Sequence, residues 1–140
     1  MQNRLIAVAG VALVVVAGVS GCAESLTVPR KAARVTIDGE THNARPPACS
    51  QAQSYRTIDI RDRDGHIEAA VLTSGERVIP QWVKIRDVGG FNGSAWQGGV
   101  GQMDADYRNG RYTIRGSAYG ISNSNLNKVV TTDFTIVADC

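Results

Sequence analysis

The chain has 140 residues, enough for one globular domain, with 43% hydrophobic, 20% charged and 6% aromatic residues. This mixture excludes a disordered polyelectrolyte, a coiled coil and collagen. Fifteen basic and 13 acidic side chains leave a net charge of +2, which provides no concentrated basic face. We therefore expect no nucleic-acid partner, because nucleic-acid binding needs such a face.

Residues 1–21 are predicted to form a cleaved signal peptide. Arg4 supplies a positive charge, and an uncharged run of 14 residues, Ile6–Val19, follows it. A membrane-spanning helix needs about 20 apolar residues. The run is therefore typical of a secretory leader rather than of a permanent transmembrane anchor.

The run ends in Val-Ser-Gly-Cys, which resembles the bacterial lipobox and places Cys22 directly after the predicted cleavage site. Small residues admit the backbone to a peptidase cleft, and a thiol is the side chain suited to thioether formation with a lipid. Each buried CH₂ of an acyl chain contributes about 0.8 kcal/mol of membrane affinity. Residues 22–33 are then the lipidated cysteine and a short tether, which holds the protein at the extracytoplasmic side of the cell membrane. The alternative is a plain secretory leader that happens to end near Cys22.

Residues 34–140 are predicted to form a β-rich domain. Apolar and polar residues alternate with a period of two in several short runs, and turn signals separate these runs. Asn109–Gly110 is a strong hairpin signal, and Pro80 marks a sheet edge or a bulge. We expect an all-β fold, either an antiparallel β-sandwich or a partly closed barrel of short strands.

The cysteines that remain after acylation form an even pair, Cys49 and Cys140, which favours a disulfide in an exported protein. Closing a loop of this length stabilises a fold by about 4–5 kcal/mol in the chain-entropy model. The alternative is a nucleophilic cysteine, which needs a nearby base. Only His42 and His66 could supply it.

The polar residues predict neither a metal site nor a cofactor site. A metal site would require His42 and His66 to converge with a third ligand. Asp104 and Asp106 share one face of a predicted strand, where two carboxylates could perform acid–base chemistry in a small hydrolase. We favour two solvated charges near arginines and expect no enzyme.

Residues 89–101 are rich in glycine and contain Phe91 and Trp96. A phosphate-binding loop would need a following helix and usually a lysine, and neither is evident. One interpretation is a tightly turned segment at a sheet edge. The other is an apolar groove with Trp82, Phe91 and Trp96 as its floor, which would suit a periplasmic carrier or sensor of an apolar ligand.

The order of several motifs resembles the mycobacterial nineteen-kilodalton lipoprotein antigen family over about residues 34–140. The motifs are the lipobox, Val35–Gly39, Cys49, Glu68–Thr73, Gly110–Ala118 and a last strand ending at Cys140. The resemblance implies a triacylated, non-enzymatic surface antigen with lipid on Cys22 and a Cys49–Cys140 disulfide. It also implies host innate receptors as partners, engaged through the lipid, and host-cell adhesion has been proposed for the family.

The tether differs from that of the better-known family members, which have a long Thr/Ser-rich segment that can carry sugars. Residues 23–33 contain only Ser25 and Thr27 as hydroxyl-bearing residues. The resemblance therefore indicates a paralogue of the antigen, and it gives no support for glycosylation here.

Overall fold

The computed structural model describes residues 31–140, which form ten β-strands. The strands are β1 (Ala33–Ile37), β2 (Glu40–Ala44), β3 (Ala48–Ala52), β4 (Tyr55–Arg61), β5 (His66–Ser74), β6 (Arg77–Val88), β7 (Phe91–Trp96), β8 (Gln102–Arg108), β9 (Arg111–Ser122) and β10 (Asn125–Asp139). All strand pairings are antiparallel, which confirms the expected all-β antiparallel class. Within the described range, no helix is long and apolar enough to span a membrane.

The strands belong to one open sheet with the order β2-β1-β10-β9-β7-β6-β5-β4-β3, and β8 pairs with β9. The sheet curls until its two ends approach each other. The amide of Arg45, just after β2, donates to the carbonyl of Arg61 at the end of β4, with an N···O distance of 3.1 Å. A strongly twisted sheet of this many strands curls because the twist accumulates from strand to strand.

The concave face of the curled sheet holds the hydrophobic core. Strand alternation directs every second side chain inward, and the largest of these are almost completely buried. They are Ile58, Ile60, Ile67, Ile85, Ile114, Ile136, Val35, Val71, Val83 and Val88. Fully burying one such side chain stabilises the fold by about 1.5–3 kcal/mol. No polar or charged residue between 31 and 140 is buried.

Two local features predicted from single residues are present. Asn109 and Gly110 both have positive φ, 51° and 79°, and they connect β8 to β9 in a two-residue hairpin turn. Pro80 lies beside a register shift between β5 and β6. The pairing of β6 with β7 begins only at Trp82, so Pro80 lies at a bulge and also beyond the part of β6 that β7 covers.

The glycine-rich segment differs from its prediction as an edge segment. It contains β7, which lies between β6 and β9 inside the sheet. A side chain at Gly93 would approach the Phe91 ring to 2.5 Å and the carbonyl oxygen of Tyr119 to 2.7 Å. Glycine at position 93 thus leaves space for an aromatic ring inside the core.

Candidate functional site

Cys22, the predicted lipid attachment site, lies outside the described residues, as do the predicted signal peptide and most of the tether. The structure describes the domain that follows them.

The domain is closed by a disulfide between Cys49 and Cys140, whose Cα atoms are 5.9 Å apart and which are separated by 91 positions in the sequence. Cys49 lies on the edge strand β3, and Cys140 follows β10. The bond therefore joins one edge of the sheet to the C-terminus. The predicted pairing is confirmed, and neither sulfur is available as a thiolate nucleophile.

The carboxylate of Asp139 joins β9, β10 and the chain just before β1, close to the point where the tether enters. Arg111 donates to Asp139 from Nε to Oδ1 (2.6 Å) and from Nη2 to Oδ2 (3.3 Å), and the amide of Ala32 also donates to Oδ2. The hydrogen bond from Arg111 holds the pKa of the Asp139 carboxyl below its ordinary value. The same contact raises the pKa of Arg111.

Asp139→Asn should lower the stability of the domain at neutral pH. A carboxyl with a lowered pKa in the folded state stabilises the fold above its unfolded pKa, and this contribution disappears as the pH falls through the folded pKa. The stability difference between wild type and Asp139→Asn should therefore shrink in acid. Urea denaturation at a series of pH values measures it. The control is Asp133→Asn, an exposed carboxylate on the same strand. An equal effect of both variants at every pH would contradict the prediction.

The three aromatic residues of the predicted groove do not share a surface. Phe91 is 4% exposed and belongs to the core, whereas Trp96 is 43% exposed on the convex face of the sheet. Positions 91 and 96 of one strand are an odd number of residues apart, so their side chains point to opposite faces. Trp82 pairs with Trp96 across β6 and β7. The prediction of an apolar groove with all three residues as its floor is therefore wrong.

The convex face carries an aromatic pair with a lysine above it. The ring centroids of Trp82 and Trp96 are 6.1 Å apart. The Nζ atom of Lys84 lies 4.9 Å from the Trp82 ring centroid and 5.7 Å from that of Trp96. Both distances are within the range of cation–π attraction. The ammonium group of Lys84 is thus held over the tryptophan rings.

A cluster of three potential metal ligands lies on the same convex face, on β4 and β5. Strand pairing places Asp59 opposite Glu68 and Arg61 opposite His66. The Nε2 atom of His66 is 2.7 Å from Oδ2 of Asp59. Potential ligand atoms of Asp59, His66 and Glu68 all lie within 4.8 Å of one another, and the three residues are partly buried.

The sequence analysis missed this cluster because it sought convergence of the two histidines. His42 instead lies on β2, with Nδ1 3.9 Å from Oδ2 of Asp62. The carboxylates near His66 are those of Glu68 on the same strand and Asp59 on the neighbouring strand β4. The sequence signal is the spacing of two in Asp-Ile-Arg (59–61) and His-Ile-Glu (66–68), on either side of a four-residue turn. This spacing places the charged residues and His66 on one face of a hairpin, and the isoleucines on the other.

His42 also borders an open cleft of about 360 Å³ near the β2 end of the sheet. The cleft is lined by Ile37, Asp38, Glu40, His42, Gly89, Phe91, Ser122, Ser124, Val130, Thr131 and Thr132. The Nε2 atom of His42 is buried without a hydrogen-bond partner. A side chain at Gly89 would approach this atom to 3.1 Å, so the ring packs against the Gly89 backbone.

Asp104 and Asp106 are exposed on β8, as expected for solvated charges. Oδ2 of Asp106 accepts a hydrogen bond from Nε of Arg108 at 2.9 Å. Asp104 lies opposite Arg115 in the strand pairing. This environment is that of surface carboxylates paired with arginines.

These features define a disulfide-linked all-β domain that follows a lipobox-like sequence. Residues 26–140 match the model of the Mycobacterium 19 kDa lipoprotein antigen family, and the chain belongs to this family. The predicted resemblance is confirmed.

Relatives of full length carry lipoprotein names. The chain is 63% identical to the probable lipoprotein LppE of Mycobacterium tuberculosis, and the alignment covers 100% of both chains. It is 31% identical to a putative lipoprotein of Mycobacterium avium subsp. hominissuis, over 100% of this chain and 97% of the relative. A putative lipoprotein of Mycobacterium indicus pranii is 29% identical over 100% of both chains.

Proposed function

We propose that the protein is a non-enzymatic envelope lipoprotein, anchored by acyl chains on Cys22 at the extracytoplasmic side of the cell membrane. The observation that carries this proposal is membership of a lipoprotein antigen family over residues 26–140, a few positions after a Val-Ser-Gly-Cys sequence that ends at Cys22. In this proposal residues 1–21 are removed during export, and Cys22 becomes the first residue of the mature chain.

The disulfide supports export, because such bonds persist in oxidising compartments outside the cytosol. Residues 22–33 reach at most about 40 Å when fully extended. A domain on so short a tether stays close to the lipid headgroups. The pair Arg30–Lys31 within the tether can contact anionic headgroups.

The side chains of the described domain support a role in binding partner molecules rather than in catalysis. Cys49 and Cys140 are bonded to each other. The carboxylates of Asp104 and Asp106 are exposed. Host innate receptors are proposed partners through the acyl chains on Cys22, as the family resemblance implies.

The alternative function, a carrier of an apolar ligand, has less support. Its proposed groove depended on Phe91, which is buried in the core. Isoleucine and valine side chains fill the concave side of the sheet, where an apolar ligand would need space.

Cys22→Ala should abolish lipidation and release the protein from the membrane. The wild type, purified from its own envelope, should have the mass of residues 22–140 plus a diacylglyceryl group and a further acyl chain. It should partition into the detergent phase of a cloud-point separation. The variant should appear in the aqueous phase, because no acyl chain remains to be buried.

The control for this experiment is Ser25→Ala, a small change three positions further along the tether that leaves the lipobox intact. This variant should remain lipidated and stay in the detergent phase. Signalling by innate receptors in host cells should depend on the lipid. It should therefore be lost with Cys22→Ala and retained with Ser25→Ala. An unlipidated wild-type mass would overturn the proposal.

A further inference from the structure

We propose that Asp59, His66 and Glu68 form a binding site for a divalent first-row transition metal ion, with zinc as the best fit. The site is independent of the lipid on Cys22. It combines one imidazole nitrogen with two carboxylate oxygens, a donor set that zinc accepts in proteins. Magnesium and calcium prefer oxygen-only sites with more ligands.

The backbone brings these donors together without any long-range rearrangement. Asp59 and Glu68 are direct cross-strand partners on β4 and β5, and His66 precedes Glu68 by two residues on the same face. A tetrahedral zinc ion bound at about 2.0–2.2 Å separates its ligand atoms by roughly 3.5 Å. The present separations, 2.7 Å between His66 and Asp59 and at most 4.8 Å within the cluster, bracket this value.

Glu68 is free to take part, because the cation opposite it is engaged elsewhere. Lys84 lies opposite Glu68 in the pairing of β5 with β6, yet its Nζ atom sits over the rings of Trp82 and Trp96. Within residues 31–140, the Glu68 carboxylate forms neither a hydrogen bond nor an ion pair. A partly buried carboxylate of this kind gains from a nearby metal cation.

The Asp59–His66 contact has the geometry of two ligands that share a proton in place of a metal ion. An ionised carboxylate only accepts hydrogen bonds, so Nε2–H of His66 donates to Oδ2 of Asp59. For a metal ion to bind at Nε2, the imidazole proton would move to Nδ1, which frees both Nε2 and Oδ2 of Asp59 as ligand atoms. Arg61 lies 3.4 Å from the other carboxylate oxygen, Oδ1, and leaves Oδ2 for the metal. The fourth tetrahedral position is then open to water.

The test is zinc titration of the mature, detergent-purified lipoprotein, stripped with a chelator and followed by calorimetry. Cobalt(II) is the spectroscopic probe, since its visible absorption reports tetrahedral coordination. We expect one metal ion per chain. His66→Gln and Glu68→Gln should each weaken zinc binding by at least tenfold, because losing a residue that only orients a metal ligand already costs roughly 10–100-fold.

The matched control is His42→Gln, which removes the other histidine, also close to one carboxylate but outside the cluster. It should bind zinc like the wild type. Circular dichroism of each variant verifies that the sheet is intact, so that lost binding is not lost folding. No zinc binding by the folded wild type, or equal binding by all three variants, would overturn the proposal.

Discussion

Replacing Cys49 and Cys140 together by alanine should lower the free energy of unfolding by about 4–5 kcal/mol. The disulfide joins residues 91 positions apart. Without the disulfide, the unfolded chain has a higher conformational entropy, whereas the free energy of the folded state is not lowered. Cys49 also lies on the edge strand β3, which pairs on one side only. The cost is a large fraction of the stability of a domain of this size.

Chemical denaturation of wild type and double variant, under identical non-reducing conditions, measures this loss. Ser50→Ala is the control, because Ser50 lies beside Cys49 on the same strand and makes no cross-link. It should change the stability by less than about 0.5 kcal/mol. If the double variant were also this close to wild type, the disulfide would not be a main source of stability.

Gly116→Ala should destabilise the domain by about 3 kcal/mol, through a backbone clash. Strand β9 pairs with β8 and then with β7 along the same side. Near this change of partner, a Cβ atom at position 116 would lie against the carbonyl oxygen of Gln102 and only 3.0 Å from its carbonyl carbon. Backbone atoms of a paired strand cannot rotate away as a flexible side chain can.

Gly99→Ala is the matched control, since an added Cβ there would meet only ordinary contacts with Trp96, none closer than 3.8 Å. It should stay within about 0.5 kcal/mol of wild type. Thermal or urea unfolding of both variants measures the difference. Equal stabilities would mean that β8 and β9 separate at little cost.

The central strands could be predicted because their two faces meet different environments. In β4, Ile58 and Ile60 are buried while their neighbours are more exposed, and this difference is visible in the sequence as alternation. The edge strands β2 and β3 show no such alternation in the sequence. Their sequences, ETHNA and ACSQA, contain no large aliphatic or aromatic residue, although Ala44 and Cys49 pack against the core.

The candidate metal site required information that a single strand does not contain. His66 and Glu68 share a face by their spacing alone, but Asp59 joins them only through the pairing of β4 with β5. A shift of one residue in that pairing would turn Asp59 to the other face. In the same way, the register of β6 and β7 brings Trp82 beside Trp96.

The sequence by itself indicated the family, the all-β class and the pairing of Cys49 with Cys140, because these depend on residue types, on the order of motifs and on short-range periodicity. The tertiary structure decided which strands are central, which aromatic side chains meet, and which carboxylates surround His66. It also brought Cys49 within 5.9 Å of Cys140, Cα to Cα. These outcomes depend on strand register and on the curl of the whole sheet, which arise from contacts between residues distant in the sequence.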